Sequence, residues 1–374
     1  MKKHPDYILL GAAAGLLILG ILILASVSSS ISEEKFGNTY YFLNHQMLFG
    51  LLPGVFLAFV VFRIPIAFFK KWGVVFLLIN LVLMGMVFLP LIGLSTGGAA
   101  RWLRLGPFTF QPSEFLKLTF LIYLSLWLAN RIPQQQGKSS LEKIKRNKEL
   151  GQTFIVFLII IGIVSLLLIL QPDISTLGII VFSATLMYFL ANTPLWHILL
   201  IFLFGIGGLF SIIKIAPYRA SRILVFLNPN IDPMGMGYQI KQSLITIGSG
   251  GIFGLGLGLS GQKYGFLPQS MSDSIFAVFS EEAGFVGALI LILFFLLFLW
   301  RGFKIARESQ DKFSQLLAGG ITSWIIIQAF VNISSMIGIL PLSGIPLPFI
   351  SYGGSALVIE LIGVGLLLNI SRNI

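Results

Sequence analysis

The chain contains no cysteine and only three histidines in 374 residues. Without cysteine there are no disulfides, thiolate metal sites or thiol nucleophiles. His4, His45 and His197 form no cluster for zinc, and none is placed to activate a serine nucleophile. Charge is scarce as well. Asp, Glu, Lys and Arg make up 10% of the chain, against about 25% in soluble domains. With 56% hydrophobic residues and a mean hydropathy of +0.94, the chain cannot cover a water-facing surface, so it reads as a polytopic membrane protein. The formal net charge of +11 then reports topology before it suggests any nucleic-acid partner. The glycines at 254–258 lack the strand–turn–helix frame and the Gly-Lys-Ser/Thr ending of a phosphate-binding loop.

What is abundant is long apolar sequence. About 17–25 residues span a bilayer. Ten runs qualify, at 7–27, 43–62, 73–91, 112–129, 153–170, 174–191, 197–215, 274–300, 315–338 and 355–371. The first exceeds the 7–15 residues of a secretory core and reads as an uncleaved helix. With the N-terminus inside, the inner segments hold sixteen of the 25 basic residues and the outer ones eight, with Lys117 inside a span. That bias puts both termini in the cytoplasm. The predicted fold is an all-α membrane protein of ten transmembrane helices. It forms one domain over 1–374, with one long extracellular loop at 216–273 between helices 7 and 8. That loop is apolar and Gly-rich at 243–261, and such backbone at membrane depth must be buried in protein or face a water-filled cavity.

Polar residues concentrate at the predicted outer face. Asp273 precedes the eighth span and admits two readings. It is either a helix cap or, with Arg219, Arg222 and Lys263 from the same loop, an acid in a cavity for an anionic lipid-linked substrate. Glu281 lies near two helical turns further on, ~12 Å deeper. Glu281 and Glu282 are expected either to pair with a buried cation, for which Lys117 is available, or to cap a neighbouring helix, or to form a proton or ion site. Arg101 and Arg104 alternate with Trp102, Leu103 and Leu105. They read as interfacial anchors or as bidentate phosphate ligands, with Glu114 holding one of them. Arg219 and Arg222, three apart, share a face of a short helix, and Lys241 follows the turn-rich 228–239. The segment 338–358 carries three prolines, with Ser351, Tyr352 and Ser355 as polar candidates within it.

ARWLRLGPFTFQPSEFLKL (100–118), QPDISTLG (171–178), the stretch 218–285 and GIPLPFISYGGSALV (344–358) together resemble the SEDS family (shape, elongation, division and sporulation). They occur in order along nearly the whole chain. GLGLGLSGQKYGFLP and LLLNISRN look more like its FtsW division branch than its RodA elongation branch. The chain departs from the family pattern at Gln269, Ser272, Ser274 and Glu360. The resemblance implies a peptidoglycan glycosyltransferase that polymerises lipid II on the outer face of the cytoplasmic membrane, at the division septum. It puts the family's essential acid on Asp273, its loop acid on Glu114 and its lysine on Lys263, with Glu281 and Glu282 supporting the helix behind Asp273. Asp273 would act as general base or hold a divalent cation (Mg or Mn). Arg101, Arg104, Arg219, Arg222, Lys241 and Lys263 would face the diphosphate. Implied partners are the growing glycan strand, a class B penicillin-binding protein and other division proteins, but no nucleic acid. A lipid II flippase, an elongation-type polymerase, an ion-coupled transporter and a division scaffold are the competing readings.

Overall fold

The computed structural model describes residues 4–90, 92–96, 99–106, 108–132, 140–215 and 217–374. Side chains at 95, 96, 99, 105, 108, 140–148, 209–213, 215 and 217–219 lie outside the description. Each of the ten apolar runs overlaps a helix, but 73–91 continues past the end of its helix at Met86, and 43–62 covers two helices and a π-turn. The elements are α1 (Tyr7–Phe36), α2 (Tyr41–Gln46) joined through a π-turn to α3 (Leu52–Arg63), α4 (Ile66–Met86), α5 (Pro112–Arg131), α6 (Ser140–Leu170), α7 (Ile174–Leu190), α8 (Leu195–Ile215), α9 (Pro217–Leu227), α10 (Met236–Ser249), α11 (Ile275–Glu308), α12 (Lys312–Met336) and α13 (Gly354–Arg372). Among the described residues, seven helices are long and apolar enough to cross a membrane. The span from Tyr41 to Arg63 is one of them, and α7 and the first part of α8 are shorter apolar helices.

Helix boundaries follow local chemistry. The Asp6 carboxylate accepts the Leu9 N–H at 2.9 Å and starts α1, and Gly37 at φ 62° ends it. α5 opens on Pro112 with Glu114 in its first turn. Asp173 caps α7 and Asp311 caps α12. The most buried helices, α12 and α13, form the centre. α13 packs on α3, and α12 packs on α11, α7 and α5, while α1 flanks α11.

The two ends of the bundle are distinct. At one end Asp6, before α1, pairs with Arg301 of α11, and its backbone N–H reaches Ser371 of α13. Lys70 of α4 meets Asp311 there at 2.9 Å. At the other end the starts of α5, α7, α11 and α13 meet the end of α12.

A small sheet corrects the all-α expectation, and the long loop contains two helices. Residues of the second outer segment form a three-stranded antiparallel sheet, β1 (Gly93–Thr96), β2 (Ala99–Leu105) and β3 (Phe108–Phe110), in the order β1-β2-β3. The alternation of Arg101, Trp102, Leu103, Arg104 and Leu105 is the period-two pattern of a strand. The loop at 216–273 is largely built, with α9 and α10 inside it.

The remainder of that loop docks into a break in α11. Gly284 has φ 66° and ψ −168°, so the helix stops and restarts there. The freed carbonyls of Glu281 and Glu282 accept the N–H groups of Leu255 and Gly256, each at 3.0 Å. In return, Phe285 and Val286 donate to the carbonyls of Gly251 and Ile252 at 3.0 and 3.1 Å. The loop and the break thus satisfy each other's backbone, as irregular backbone at membrane depth requires. Gly254, at φ +81°, has room for no side chain, since a Cβ there would lie 2.2 Å from the Glu282 carbonyl. Gly254→Ala is therefore expected to destabilise the protein by about 1–3 kcal/mol or more and lower the detergent melting temperature. Gly11→Ala, which meets nothing within 4 Å, is expected to leave it nearly unchanged.

Candidate active site

Asp273 lies outside the helix, in the turned segment before α11, and Ser274 takes the N-cap position. The cap reading of Asp273 is thereby replaced. The main chain around it is clamped from two sides. Asn332 of α12 donates its amide to the carbonyls of Asp273 (2.9 Å) and Ile345 (2.7 Å). Ser351 donates to the Ser272 carbonyl at 2.6 Å and accepts the Leu347 N–H at 2.8 Å. The Tyr352 N–H reaches the Met271 carbonyl at 2.9 Å. The Pro-rich segment before α13 is thus the backing of the Asp273 turn. Ser355 serves the same assembly by accepting the Gln111 N–H at 3.3 Å. Sequence reasoning missed Asn332. Its only signal was an amide inside an apolar span.

The Asp273 carboxylate itself is half-buried. Burial pushes it up to about 6, against the opposing pull of the Ser272 hydroxyl and the Arg222 charge. Arg222 projects from α9 and is exposed, so it is the cation placed to act on Asp273. Arg219 is on the same helix, and its side chain lies outside the described residues. Lys241 on α10 is exposed and meets Asn230 Oδ1 at 2.6 Å. Arg104 is exposed on β2.

Two expected phosphate ligands are placed differently. Arg101 donates to the carbonyls of Gln171 and Pro172, tying the sheet to the turn before α7. Lys263 is 2% exposed, with its Nζ 3.2 Å from Glu282 and 2.6 Å from the Gly258 carbonyl. Its ammonium is a structural counter-charge, because a buried ion must be paired.

Glu282 pairs with a buried cation as expected, but that cation is Lys263 and not Lys117. Lys117 pairs with Glu114 at 2.7 Å on the same helix, three residues apart, so it is not the partner of Glu281 or Glu282, and among the described residues Glu114 holds neither Arg101 nor Arg104. Lys117 also donates to Gln328 Oε1 at 2.8 Å, which accepts from Trp324 as well. The Gln328 amide donates to the Pro346 carbonyl at 3.0 Å and to Glu360 at 3.4 Å. Glu360 in turn accepts the Phe349 N–H at 2.8 Å. One buried polar chain thus runs from α5 through α12 and α13 to the segment behind Asp273. Glu281 accepts from Ser249 and Ser260, and Glu282 from Ser26 of α1. Both acids therefore fasten the loop to the break in α11, two turns from Asp273 but not on one continuous face with it.

With this geometry in place, the comparisons define the class. The sequence matches the FtsW, RodA and SpoVE family of cell cycle proteins over residues 7–374. The chain belongs to that family. It is 37% identical to stage V sporulation protein E of Bacillus subtilis, covering 99% of this chain and 98% of that one. It is 38% identical to a probable peptidoglycan glycosyltransferase FtsW of Thioalkalivibrio, covering 100% and 90%. Among solved structures it resembles a chain of a peptidoglycan synthase complex described for coordination of polymerization and crosslinking, with TM-score 0.76, 27% identity and coverage of 99% and 98%. The rod shape determining protein RodA of Thermus thermophilus has TM-score 0.70 at 25% identity, covering 99% and 97%.

The Lys263–Glu282 pair makes a direct prediction. Lys263→Met strands a buried carboxylate and is expected to cost about 3–5 kcal/mol, seen as a lower melting temperature or loss of folded protein. Adding Glu282→Gln removes the charge and is expected to recover much of that loss. A double variant as unstable as the single one would contradict the pairing.

Proposed function

We propose that this protein is a peptidoglycan glycosyltransferase that polymerises lipid II into glycan strands, in the division role of its FtsW relatives. The ten helices would each span the membrane, with both termini cytoplasmic. Asp273 would then open to the outer face of the cytoplasmic membrane at the septum. The observation that carries the proposal is the Asp273 carboxylate. It is half-buried beside Arg222, on a turn held from behind by Asn332, Ser351 and Tyr352.

The chemistry follows from that placement. The 4-hydroxyl of one lipid-linked disaccharide attacks the anomeric carbon of the growing strand, and undecaprenyl diphosphate leaves. Inversion needs a base on the face opposite the leaving group. A carboxyl near 6 is mostly ionised at pH 7, yet basic enough to accept the developing proton. Arg222, Arg104 and Lys241 are exposed and available to the diphosphate, with Arg219 on the same helix as Arg222. Arg101 and Lys263 contribute by holding the sheet and the loop. A divalent cation belongs to the proposal only as a companion of the diphosphate. Asp273 offers one carboxylate, and among the described residues no three Asp, Glu, His or Cys side chains gather to hold an ion. A class B penicillin-binding protein is the proposed partner, by analogy with the synthase-complex chain that this one resembles.

The test is polymerisation of labelled lipid II by the purified protein, alone and with a cognate transpeptidase. Wild type is expected to make long strands, and folded Asp273→Asn none. Because the base works ionised, the rate should fall as pH drops through about 6, by about tenfold per unit below it. Lipid II crossing proteoliposomes without any polymer would contradict the enzyme and favour a flippase.

A further inference from the structure

The end of the bundle opposite Asp273 carries a second site. A cavity of ≈330 Å³ lies where the α3–α4 connection, the start of α12 and the end of α13 meet, lined in part by Arg63, Lys70, Asp311 and Arg372. Lys70 and Asp311 neutralise each other at 2.9 Å. Arg63 and Arg372 have no carboxylate partner among the described residues. Each instead lies over a ring, Arg63 at 4.8 Å from the Phe59 centroid and Arg372 at 5.0 Å from that of Phe62. Stacking orients a guanidinium while leaving its edge N–H groups available for a planar, bidentate anion contact. The cavity therefore has two unneutralised positive charges.

Its membrane side is apolar. Phe59 and Phe56 are 55% and 66% exposed, one and two turns back along α3 from Arg63 toward the membrane centre. A cationic pocket above an exposed aromatic stripe suits an amphiphile with an anionic head and acyl chains. Basic pockets between transmembrane helices on the cytoplasmic side bind acidic lipid head groups.

We propose that this cavity binds the phosphate of an anionic phospholipid from the inner leaflet, with Arg63 and Arg372 on the phosphate and the acyl chains against Phe56 and Phe59. The site is independent of the chemistry at Asp273, and its occupation would anchor α3, α4, α12 and α13 at one depth.

The test is native mass spectrometry of the delipidated full chain titrated with cardiolipin, with phosphatidylglycerol and, separately, with phosphatidylcholine. Wild type is expected to retain an acidic lipid that phosphatidylcholine does not replace. Arg63→Gln/Arg372→Gln is expected to raise the apparent Kd by about tenfold or more, since each basic residue contributes about fivefold. Lys304→Gln, which removes another cation at the same end that pairs with Glu308 at 3.7 Å, is expected to leave it unchanged. Arg63→Lys/Arg372→Lys should recover part of the binding, which separates lost charge from lost fold. Unchanged affinity in the double Gln variant, or an equal loss in Lys304→Gln, would overturn the site. Displacement of the lipid by excess inorganic phosphate would overturn the assignment to a lipid.

Discussion

Four backbone hydrogen bonds across the break at Gly284 join the long loop to α11, and the presentation of Asp273 depends on that seam. A helix that stops inside an apolar bundle leaves carbonyls and N–H groups bare, at several kcal/mol each in hydrocarbon. Residues 251–256 supply the missing partners and are themselves satisfied by the break. The Gly-rich sequence follows from this exchange, because no Cβ fits between the two backbones at Gly254. Glu281 and Glu282 then act as side-chain fasteners around the backbone seam, drawing in Ser249, Ser260, Lys263 and Ser26. The break directs the loop, the loop leads into the 269–274 turn, and that turn presents Asp273.

The same constraint operates one layer deeper. A lone lysine inside a membrane bundle is costly, and Lys117 is accommodated because Glu114 and Gln328 complete it. Gln328 passes the connection to Glu360 and Pro346, and Glu360 to Phe349. The irregular segment at 338–353, which no regular structure could satisfy, is thereby fixed from beneath by polar side chains of α12 and α13. Its upper side supports residues 271–273. The Asp273 main chain is held directly by the Asn332 amide and, through the backbone they position, by charges and amides further off.

How much of this was legible in the sequence depends on the range of the interaction. Apolar runs located the helices, because span length is a local property. Asp273 was legible as a candidate because an acid and several cations share one short stretch. The Glu114–Lys117 pair was also open to reading, since residues three apart on a helix are neighbours. It was passed over in favour of a distant partner for Lys117. Lys263 and Glu282 are nineteen residues apart and meet only because of the break at Gly284, which hydropathy cannot reveal inside a continuous apolar run. Asn332 acts on Asp273 backbone 59 residues away and Glu360 on Phe349 backbone eleven away, and the only local signal of either was a polar residue inside an apolar run. The sheet at 93–110 was hidden by its length, although the alternation in ARWLRL announced a strand.

The central claim is that this architecture raises the Asp273 carboxyl while leaving it ionised at neutral pH. Infrared difference spectra of wild type against Asp273→Asn, taken across pH in the same lipid, observe that carboxyl directly. The account predicts a protonated carboxyl band, absent from the variant, that disappears with a midpoint at about 6. A midpoint near the ordinary aspartate value of about 4, or a band that persists above pH 8, would contradict it.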